Sequence, residues 1–585
     1  MPHTNKKHLY IFGSFRKYQG FKKNFSEPAY VLHHLDCEKN GDEIKKQDEL
    51  LAEFDALFDV NQEVVAFVSF GKGSLIGGIE VIAETVDFIK NNYQSCKNIP
   101  HIGPSARGAK IFCNKYYTHQ ALNDLNIPVP KTIEIDTGVD GDGLQNLDDQ
   151  IKFPGVLKAE NLSGGRGMEF VASKDELSQK ITNLNKLGLS RFILSEYVSG
   201  LEVTFTVLRL GDTFLRLPAS FKNETTADLR HPDTKVKVAG LYKEFNEYFA
   251  YVEKVMKEYD IYGLFSLQGV LEKNENNYRV KFLEVAPRMT GSTPIMEKAL
   301  RGFDLFATMA DWIKNRRVEF AFERQLAIQY STYIHNGHET LKSLSEKEFI
   351  IEAKFEDLGE LPYSTDHSNR IRISFLVEGE ENLNLVLDEI SLICGNKNFG
   401  ADVRKELLAF RENHKSLLEV EDNKILEGNW GEDVKWEFYQ SNVLPDKKLC
   451  TAVFGVPKSA EKIVLTKTDR GWELPGGHIE PGETILATLQ RELIEETGFK
   501  YTTAVLFGYR KIISKKVLYA KTGEPYPFPV SYIPHFLVLA ENFVNKVEGS
   551  EVLDAGVFAF DAEEVKESHV GNIINVAVEE LGRIG

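Results

Sequence analysis

Cysteine is scarce in this sequence. The five in 585 residues are Cys37, Cys96, Cys113, Cys394 and Cys450, and no two form a C-x-x-C pair. An odd, scattered set excludes a secreted disulfide framework and a thiolate zinc site. Long apolar runs are also missing, since nowhere do the roughly 18 uninterrupted apolar residues of a membrane helix occur. The opening stretch Met1–Lys7 is polar and lacks the apolar centre of a signal peptide, so a reduced, cytoplasmic setting without membrane is expected. Positive charge is in deficit, with 70 Lys and Arg against 87 Asp and Glu, net −17. That sign argues against a dedicated nucleic-acid binder, because a phosphate backbone calls for the opposite charge. A small basic pocket for a nucleotide remains compatible with it. Internal repeats and the G-x-G-x-x-G fingerprint are absent as well, so dinucleotide binding is not inferred.

What remains is the composition of an ordinary globular protein, 42% hydrophobic and 27% charged. Its length implies roughly two to four domains. His8–Phe12 and Val64–Phe70 are short apolar runs, each followed by glycine (Gly13, Gly71), as parallel strands buried on both faces would be. The Asp- and Gly-rich stretch 136–149 fails the calcium-loop spacing and reads as a surface loop. Residues 311–440 hold no motif, only a strand-like Ile371–Val377 and helix-like stretches at 383–393 and 402–412. The polar segment 420–446, which includes Trp430 and Trp436, reads as a linker.

The most constrained pattern lies near the C-terminus. Gly477-His-Ile-Glu-Pro-Gly-Glu483 is followed after seven residues by Arg491-Glu492-Leu493-Ile494-Glu495-Glu496-Thr497-Gly498-Phe499. Thr484 to Thr497 has helical composition, and Gly498 stands where a helix ends. At 3.6 residues per turn Glu492, Glu495 and Glu496 share an arc of roughly 100°. Arg491 is expected to neutralise one of them at most. Hard oxygen donors in this number suit Mg²⁺ or Mn²⁺. The bland reading is a solvated acidic face. Against it, Glu496 projects only about 20° from Ile485, beside the apolar stripe with Leu489 and Leu493. A charge there is costly unless paired or metal-bound.

This segment resembles the Nudix box at every fixed position, and the resemblance extends over about residues 447–585, including Ala452–Val456 and the Gly471–Pro475 lead-in. It implies an α/β/α sandwich that hydrolyses a nucleoside diphosphate linked to another moiety. By the same resemblance Glu492, Glu495 and Glu496 bind the divalent ion, Arg491 orients them, and Glu483 lies near the metal. The substrate-selecting residues lie outside the box.

A second constellation precedes it. Phe153–Lys158 reads as a strand ending in lysine, followed by the glycine-rich Ser163-Gly-Gly-Arg-Gly-Met168, a loop whose N–H groups suit phosphates. Phe192–Glu196 is a strand with an acid at its end, and Glu202 follows Gly200. Gly263–Gln268 and Val280–Arg288 form a candidate strand pair carrying Gln268 and Glu284. Taken singly, each is a surface lysine, a flexible loop or a strand-end charge. Taken in order, they resemble the ATP-grasp superfamily over about residues 8–310. His101–Ser105, Asn114-Lys115 and Ile127–Pro130 are similar to D-alanine–D-alanine ligases, and the Gln268…Glu284 pairing to carbamoyl-phosphate synthetase.

That resemblance implies two lobes with ATP between them. Lys115 and Lys158 would contact its phosphates under the loop of Ser163, Gly164, Gly165 and Gly167. Glu196, Tyr197 and Val198 would hold adenine, and Glu202 the ribose. Gln268 and Glu284 would hold magnesium, and Arg288 the transferred phosphoryl group. One position departs from the family's E-x-N-x-R, where Ala286 replaces asparagine. The loss of that oxygen is met by water, weakens a second Mg²⁺, or marks an altered or lost reaction. The loop Lys222–Gly240, with Arg230, His231, Lys235 and Lys237, is read either as a receiver of an anionic substrate or as a solvated basic loop.

The expectation is an α/β and α+β multidomain chain: a Rossmann-like unit at 1–105, a two-lobed ATP-binding unit at 106–310, an extension and linker at 311–440, and the hydrolase unit at 441–585. Its expected chemistry joins a small-molecule carboxylate to an amine at the expense of MgATP, and cleaves a nucleoside diphosphate derivative. The alternatives are that one module senses a nucleotide, or that the first phosphorylates without ligation.

Overall fold

A computed structural model gives the structure of the chain. It describes residues 6–39, 43–71, 77–136, 151–160, 167–186, 188–225, 235–240, 245–274, 277–333, 337–355, 370–377, 382–414, 424–459, 462–520, 523–540, 552–568 and 570–584. Among these, no helix is long and apolar enough to cross a membrane.

The first sheet is parallel, in the order Tyr30–Leu35, Lys7–Gly13, Glu63–Phe70, His101–Ile102. Alternation along its central strand sends Leu9 and Ile11 into one core and Tyr10 and Phe12 into another, so both faces are buried. Gly13 ends that strand at φ +143°, where a Cβ would fall 2.5 Å from the Phe70 carbonyl oxygen. Only glycine allows the chain to turn there.

A four-stranded antiparallel sheet follows (Thr132–Asp136, Arg191–Glu196, Gly155–Ala159, Met168–Val171) and packs on the Lys174–Asn185 helix. Beside it stands a nine-stranded sheet running Asn277–Ala286, Gly263–Asn274, Leu201–Leu210, Ser220–Glu224, Lys235–Ala239, Leu326–Tyr333, Arg370–Val377, Ile350–Phe355, with Thr213–Arg216 paired to Leu201–Leu210. Segments that carried no motif therefore extend the same sheet as the candidate Gln268–Glu284 strand pair. Val203, Phe205, Val207 and Leu267 turn one face toward the Asn246–Glu258 helix. The intervening residues Glu202, Thr204, Thr206 and Gln268 face the other way.

The C-terminal sheet has ten strands around the long pair Tyr501–Ser514 and Val530–Ala540. The Ile485–Thr497 helix packs on one face through Leu489 and Leu493 against Val453, Val464, Leu506 and Val538. The Gly571–Glu580 helix covers the other, Ile573, Ile574 and Ala577 meeting Val456, Ile463, Leu465 and Leu537. Residues 424–446 are not the expected linker, and 420–423 lie outside the described residues. Lys424–Asn429 and Val434–Gln440 form a hairpin paired to Tyr501–Ser514. Its outer surface is polar, with Lys435 bonded to Glu427 and Glu437, and this conceals the strands from a hydropathy reading.

Two features join this sheet to the rest. Val318–Phe320 adds to Tyr501–Ser514 as a parallel strand. One apolar cluster also runs from Leu9 and Ile11 through Leu208 and Met309 to Phe438 and Leu537. At the seam, Arg216 Nε donates to Glu253 Oε1 at 2.6 Å, and Arg216 and Arg583 lie 3.3 and 3.0 Å from Glu580 Oε2. Gln440 donates to the other Glu580 oxygen at 2.7 Å. All four charged side chains are buried. Removing one partner of such a cluster costs about 3–5 kcal/mol, chiefly by leaving a buried charge unpaired. Arg216→Ala should lower stability by about that amount in urea titrations, and the whole chain should unfold in one calorimetric transition. A separate, independent transition for residues 424–585 would contradict the shared core.

Candidate functional sites

The first site is built on strand register. Ser220 pairs with Thr204, Thr204 with Gln268, and Gln268 with Glu284, so four oxygen-bearing side chains lie in a row across four strands. Thr204 and Ser220 are buried, and their hydroxyl oxygens have no hydrogen-bond partner among the described residues. Buried hydroxyls left in this condition are costly and call for a ligand atom, ion or water. One residue-pair along, Glu202 binds Lys222 at 2.9 Å. Burial would pull the Lys222 ammonium down, but Glu202 and then Glu284 hold it above its ordinary value.

Lys115 opens the Lys115–Asp124 helix, which Asn114 caps by accepting from the N–H groups of Tyr116 and Tyr117. The Asn114 amide also donates to Glu160 at 2.5 Å, and Lys115 donates to the Ala159 carbonyl. This fixes the lysine beside the strand that carries Lys158, a residue only 3% exposed. Burial pulls the Lys115 ammonium down to about 8; Lys158 acts in the same direction, while Glu284 and Glu160 oppose it. Arg288, after the Asn277–Ala286 strand, is likewise lowered by burial and raised by Glu284. The Phe15–Lys22 helix beside the first parallel sheet contributes Lys17, which donates to the Gly71 carbonyl. Burial, and then Arg288, press its ammonium to about 8. A Cβ on Gly291 would lie 3.5 Å from Arg372 Nη1 and 4.0 Å from Lys237 Nζ, so these cations border the same turn.

Between the small and the large sheet runs Glu196–Val198. The Glu196 N–H bonds the Lys131 carbonyl, the Tyr197 N–H bonds the Pro154 carbonyl, and the Tyr197 ring meets Phe170 edge-on at 5.2 Å. Val198 is buried, and its carbonyl accepts from Thr225. The structure thus brings Lys115, Lys158, Glu202, Gln268, Glu284 and Arg288 into one electrostatic neighbourhood, with Glu196, Tyr197 and Val198 on the segment that leads from the small sheet to the large one. Gly167 turns at φ +64°; Ser163, Gly164 and Gly165 lie outside the described residues, as do Arg230 and His231. Ala286 is buried opposite Ser266, whose hydroxyl bonds Thr206 at 2.7 Å. Sequence reasoning missed Thr204, Ser220, Lys17 and Arg372. The alternation Glu202-x-Thr204-x-Thr206 was the available signal for the first of these.

The second site centres on the Ile485–Thr497 helix, capped by Thr484 and closed by Gly498 in the left-handed conformation. Arg491 does more than neutralise one acid. It grips Glu483 with two bonds of 2.8 and 3.0 Å and reaches Glu492 at 2.9 Å and Glu495 at 3.2 Å. A guanidinium fork has donors enough for several carboxylates. The arginine bonds hold the Glu483 carboxyl down at about 2. Glu496 is the opposite case: burial, with Glu492, Glu473 and Glu495 adding to it, pushes its carboxyl up to about 8, although the Gly476 N–H donates to it at 3.0 Å. Glu492 is raised too, by burial, and lies so flat on Gly477 that a Cβ there would fall 2.3 Å from its oxygen.

Among the described residues no three acidic, histidine or cysteine side chains stand ready to hold one ion together. The donor set nevertheless fits a hard divalent cation: hard oxygens only, in excess negative charge, two of them desolvated. The row Thr204, Ser220, Gln268 and Glu284 also offers only hard oxygens, with a single carboxylate among them and cations around it.

Residues 114–316 match the family model described as the carbamoyl-phosphate synthase L chain, ATP binding domain, and residues 448–574 match the NUDIX domain. The chain thus carries an ATP-grasp segment and a Nudix segment. Carbamoyl-phosphate synthase of Methanobrevibacter smithii is 23% identical over 286 residues, 47% of this chain and 74% of that one. The large chain of carbamoyl phosphate synthase from Thermoanaerobacter pseudethanolicus is 24% identical over 38% of this chain, which spans only 20% of that relative. D-alanine–D-alanine ligase of Coprothermobacter proteolyticus is 24% identical over 38% of this chain and 75% of its own length. Among solved structures, N5-carboxyaminoimidazole synthetase from Staphylococcus aureus aligns with a TM-score of 0.48 and 12% identity, over 66% of this chain and 96% of that one.

The raised carboxyl of Glu496 has a measurable sign. Its folded value of about 8 exceeds the ordinary 4.5, so between these pH values the folded chain keeps a proton that the unfolded chain has shed. Stability of the metal-free protein should therefore fall as pH rises from about 4.5 to about 8. In chelator, melting temperatures between pH 5 and 8 should slope downward for wild type and more weakly for Glu496→Gln. Equal slopes would refute the assignment.

Proposed function

We propose that this chain, an ATP-grasp segment joined to a Nudix segment, is a two-site enzyme. The first site activates a carboxylate as an acyl phosphate with MgATP and passes it to an amine. The second cleaves a diphosphate linkage in a nucleoside diphosphate derivative. The observation that carries the first reading is electrostatic: Lys115, Lys222 and Arg288, from three different elements, all sense Glu284. Cations so placed, around one acid and a row of oxygens, suit polyphosphate bound with a divalent ion.

In this reading Lys115 and Lys158 bind the phosphates of ATP, Glu196–Val198 hold adenine and Glu202 the ribose. Gln268 and Glu284 hold magnesium, with the Thr204 and Ser220 hydroxyls beside them; the ion supplies neutralisation of the phosphate charge. Arg288, bordered by Lys17, Lys237 and Arg372, holds the phosphoryl group as it passes to the carboxylate. The carboxylate oxygen attacks the terminal phosphorus and ADP departs; the amine then attacks the carbonyl carbon and phosphate departs. At the second site Glu492, Glu495 and Glu496 would hold a divalent cation, whose chemistry there would be to neutralise the diphosphate and make a bound water more acidic. Arg491 keeps Glu483 ionised and fixes the direction of Glu492 and Glu495.

A second reading has an observation behind it. Ala286 is buried and brings no oxygen to the place where the family has asparagine, so an ion there would have one protein ligand fewer. A first site that binds ATP and senses it is the consequence if turnover is lost. ADP release measured over a panel of carboxylates and amines decides between the two. Turnover by wild type, reduced at least about a hundredfold in Glu284→Gln, is expected on the scale of losing one preorganised charge; ATP binding without any turnover favours the sensor. For the second site, Glu495→Gln with Glu496→Gln should abolish Mg²⁺-dependent cleavage of nucleoside diphosphate derivatives. Unchanged cleavage would exclude these carboxylates.

A further inference from the structure

The hairpin Lys424–Asn429/Val434–Gln440 lies outside the segment 448–574 that matches the NUDIX domain, yet it pairs along the central strand of that sheet. It brings two tryptophans onto one arginine. The Arg510 guanidinium sits 5.8 Å from the Trp430 ring centroid and 5.4 Å from that of Trp436. Arg510 is 8% exposed, and its Nε has no hydrogen-bond partner among the described residues. Trp430, by contrast, is 47% exposed. The arrangement is built rather than incidental: Trp436 lies against Gly428, directly opposite, so closely that a Cβ there would fall 2.6 Å from the indole.

This cluster adjoins the carboxylates of the second site. Trp436 and Phe454 pack on the same small core of Val434, Ala452, Ile512 and Ile533. Phe454 in turn pairs with Gly476, whose N–H bonds Glu496. Electrostatics run the same way. Burial lowers the Arg510 guanidinium to about 10 while Glu473 raises it, and Glu473 is one of the acids that raise Glu496.

We infer that Trp430, Trp436 and Arg510 form the subsite for the nucleobase of the diphosphate substrate, the hairpin being the part of the chain that supplies it. A planar heteroaromatic ring stacks on the open indole of Trp430, and its oxygen or nitrogen acceptors take the donors of Arg510. A guanidinium backed by two rings is held flat and loses little freedom on binding, and its fork matches the acceptor edge of a base. Stacking on an aromatic face tolerates any base, whereas the arginine favours one that offers acceptors.

The inference rests on the hydrolase reading, and the test separates the two. Full-length enzyme is assayed with Mg²⁺ on ADP-ribose, GDP-mannose and UDP-glucose, and on 5-phosphoribosyl diphosphate, a diphosphate without a base. Wild type should cleave at least one base-bearing probe. Trp430→Ala, at a half-exposed position that leaves the core intact, should raise KM for that probe about tenfold and leave kcat within about twofold, with no change for the base-less diphosphate. Arg510→Lys, checked for folding by its melting curve, should raise the same KM and alter the preference among bases. An unchanged KM in Trp430→Ala, or an equal rise for the base-less probe, overturns the subsite while the hydrolase reading stands. Failure of wild type to cleave any probe overturns both.

Discussion

Glu580 accepts bonds from two arginines that arrive from different directions: Arg216 from the nine-stranded sheet and Arg583 from the C-terminal turn. Buried charge of this kind is tolerable only when every partner is in place. That condition holds only while both sheets keep their relative position. The apolar cluster beneath, continuous from Leu9 to Leu537, imposes the same requirement without direction. Together they make the two candidate sites parts of one packed object rather than modules on a tether.

The sites themselves follow opposite electrostatic rules. Around Glu284 cations predominate, and burial presses Lys17, Lys115 and Arg288 toward their neutral forms. Around Glu496 anions predominate, and burial presses Glu492 and Glu496 toward theirs. Each pocket is short of the charge that a phosphate–cation complex would bring. In the second site Arg491 holds the arrangement together meanwhile, spreading its donors over Glu483, Glu492 and Glu495.

Much of this was legible in the order of residues, and what was not has physical causes. The 485–497 helix and its glycine stop followed from spacing, because caps are local relations, and the strand pair carrying Gln268 and Glu284 was legible as two nearby apolar runs whose register the fold then supplies. The hairpin at 424–440 escaped because its outward residues are charged and its burial depends on a strand some 70 positions away. Lys17 and Arg372 escaped for a similar reason: nothing near either in the chain announces Arg288 or Gly291 as a neighbour. The reach of Arg491 to three acids was underestimated, since a helical wheel counts directions and not the length of a guanidinium.

The short parallel strand Val318–Phe320 has a bearing on how such a fusion tolerates change. Val318 and Phe320 turn inward, while Glu319 turns out to Tyr501 and Arg317. Gaining or losing a single residue between the Leu305–Asn315 helix and this strand would exchange those two sets, placing a carboxylate where phenylalanine now packs. That joint therefore has a set length, and drift by insertion is open to the chain at its surface loops and closed to it here.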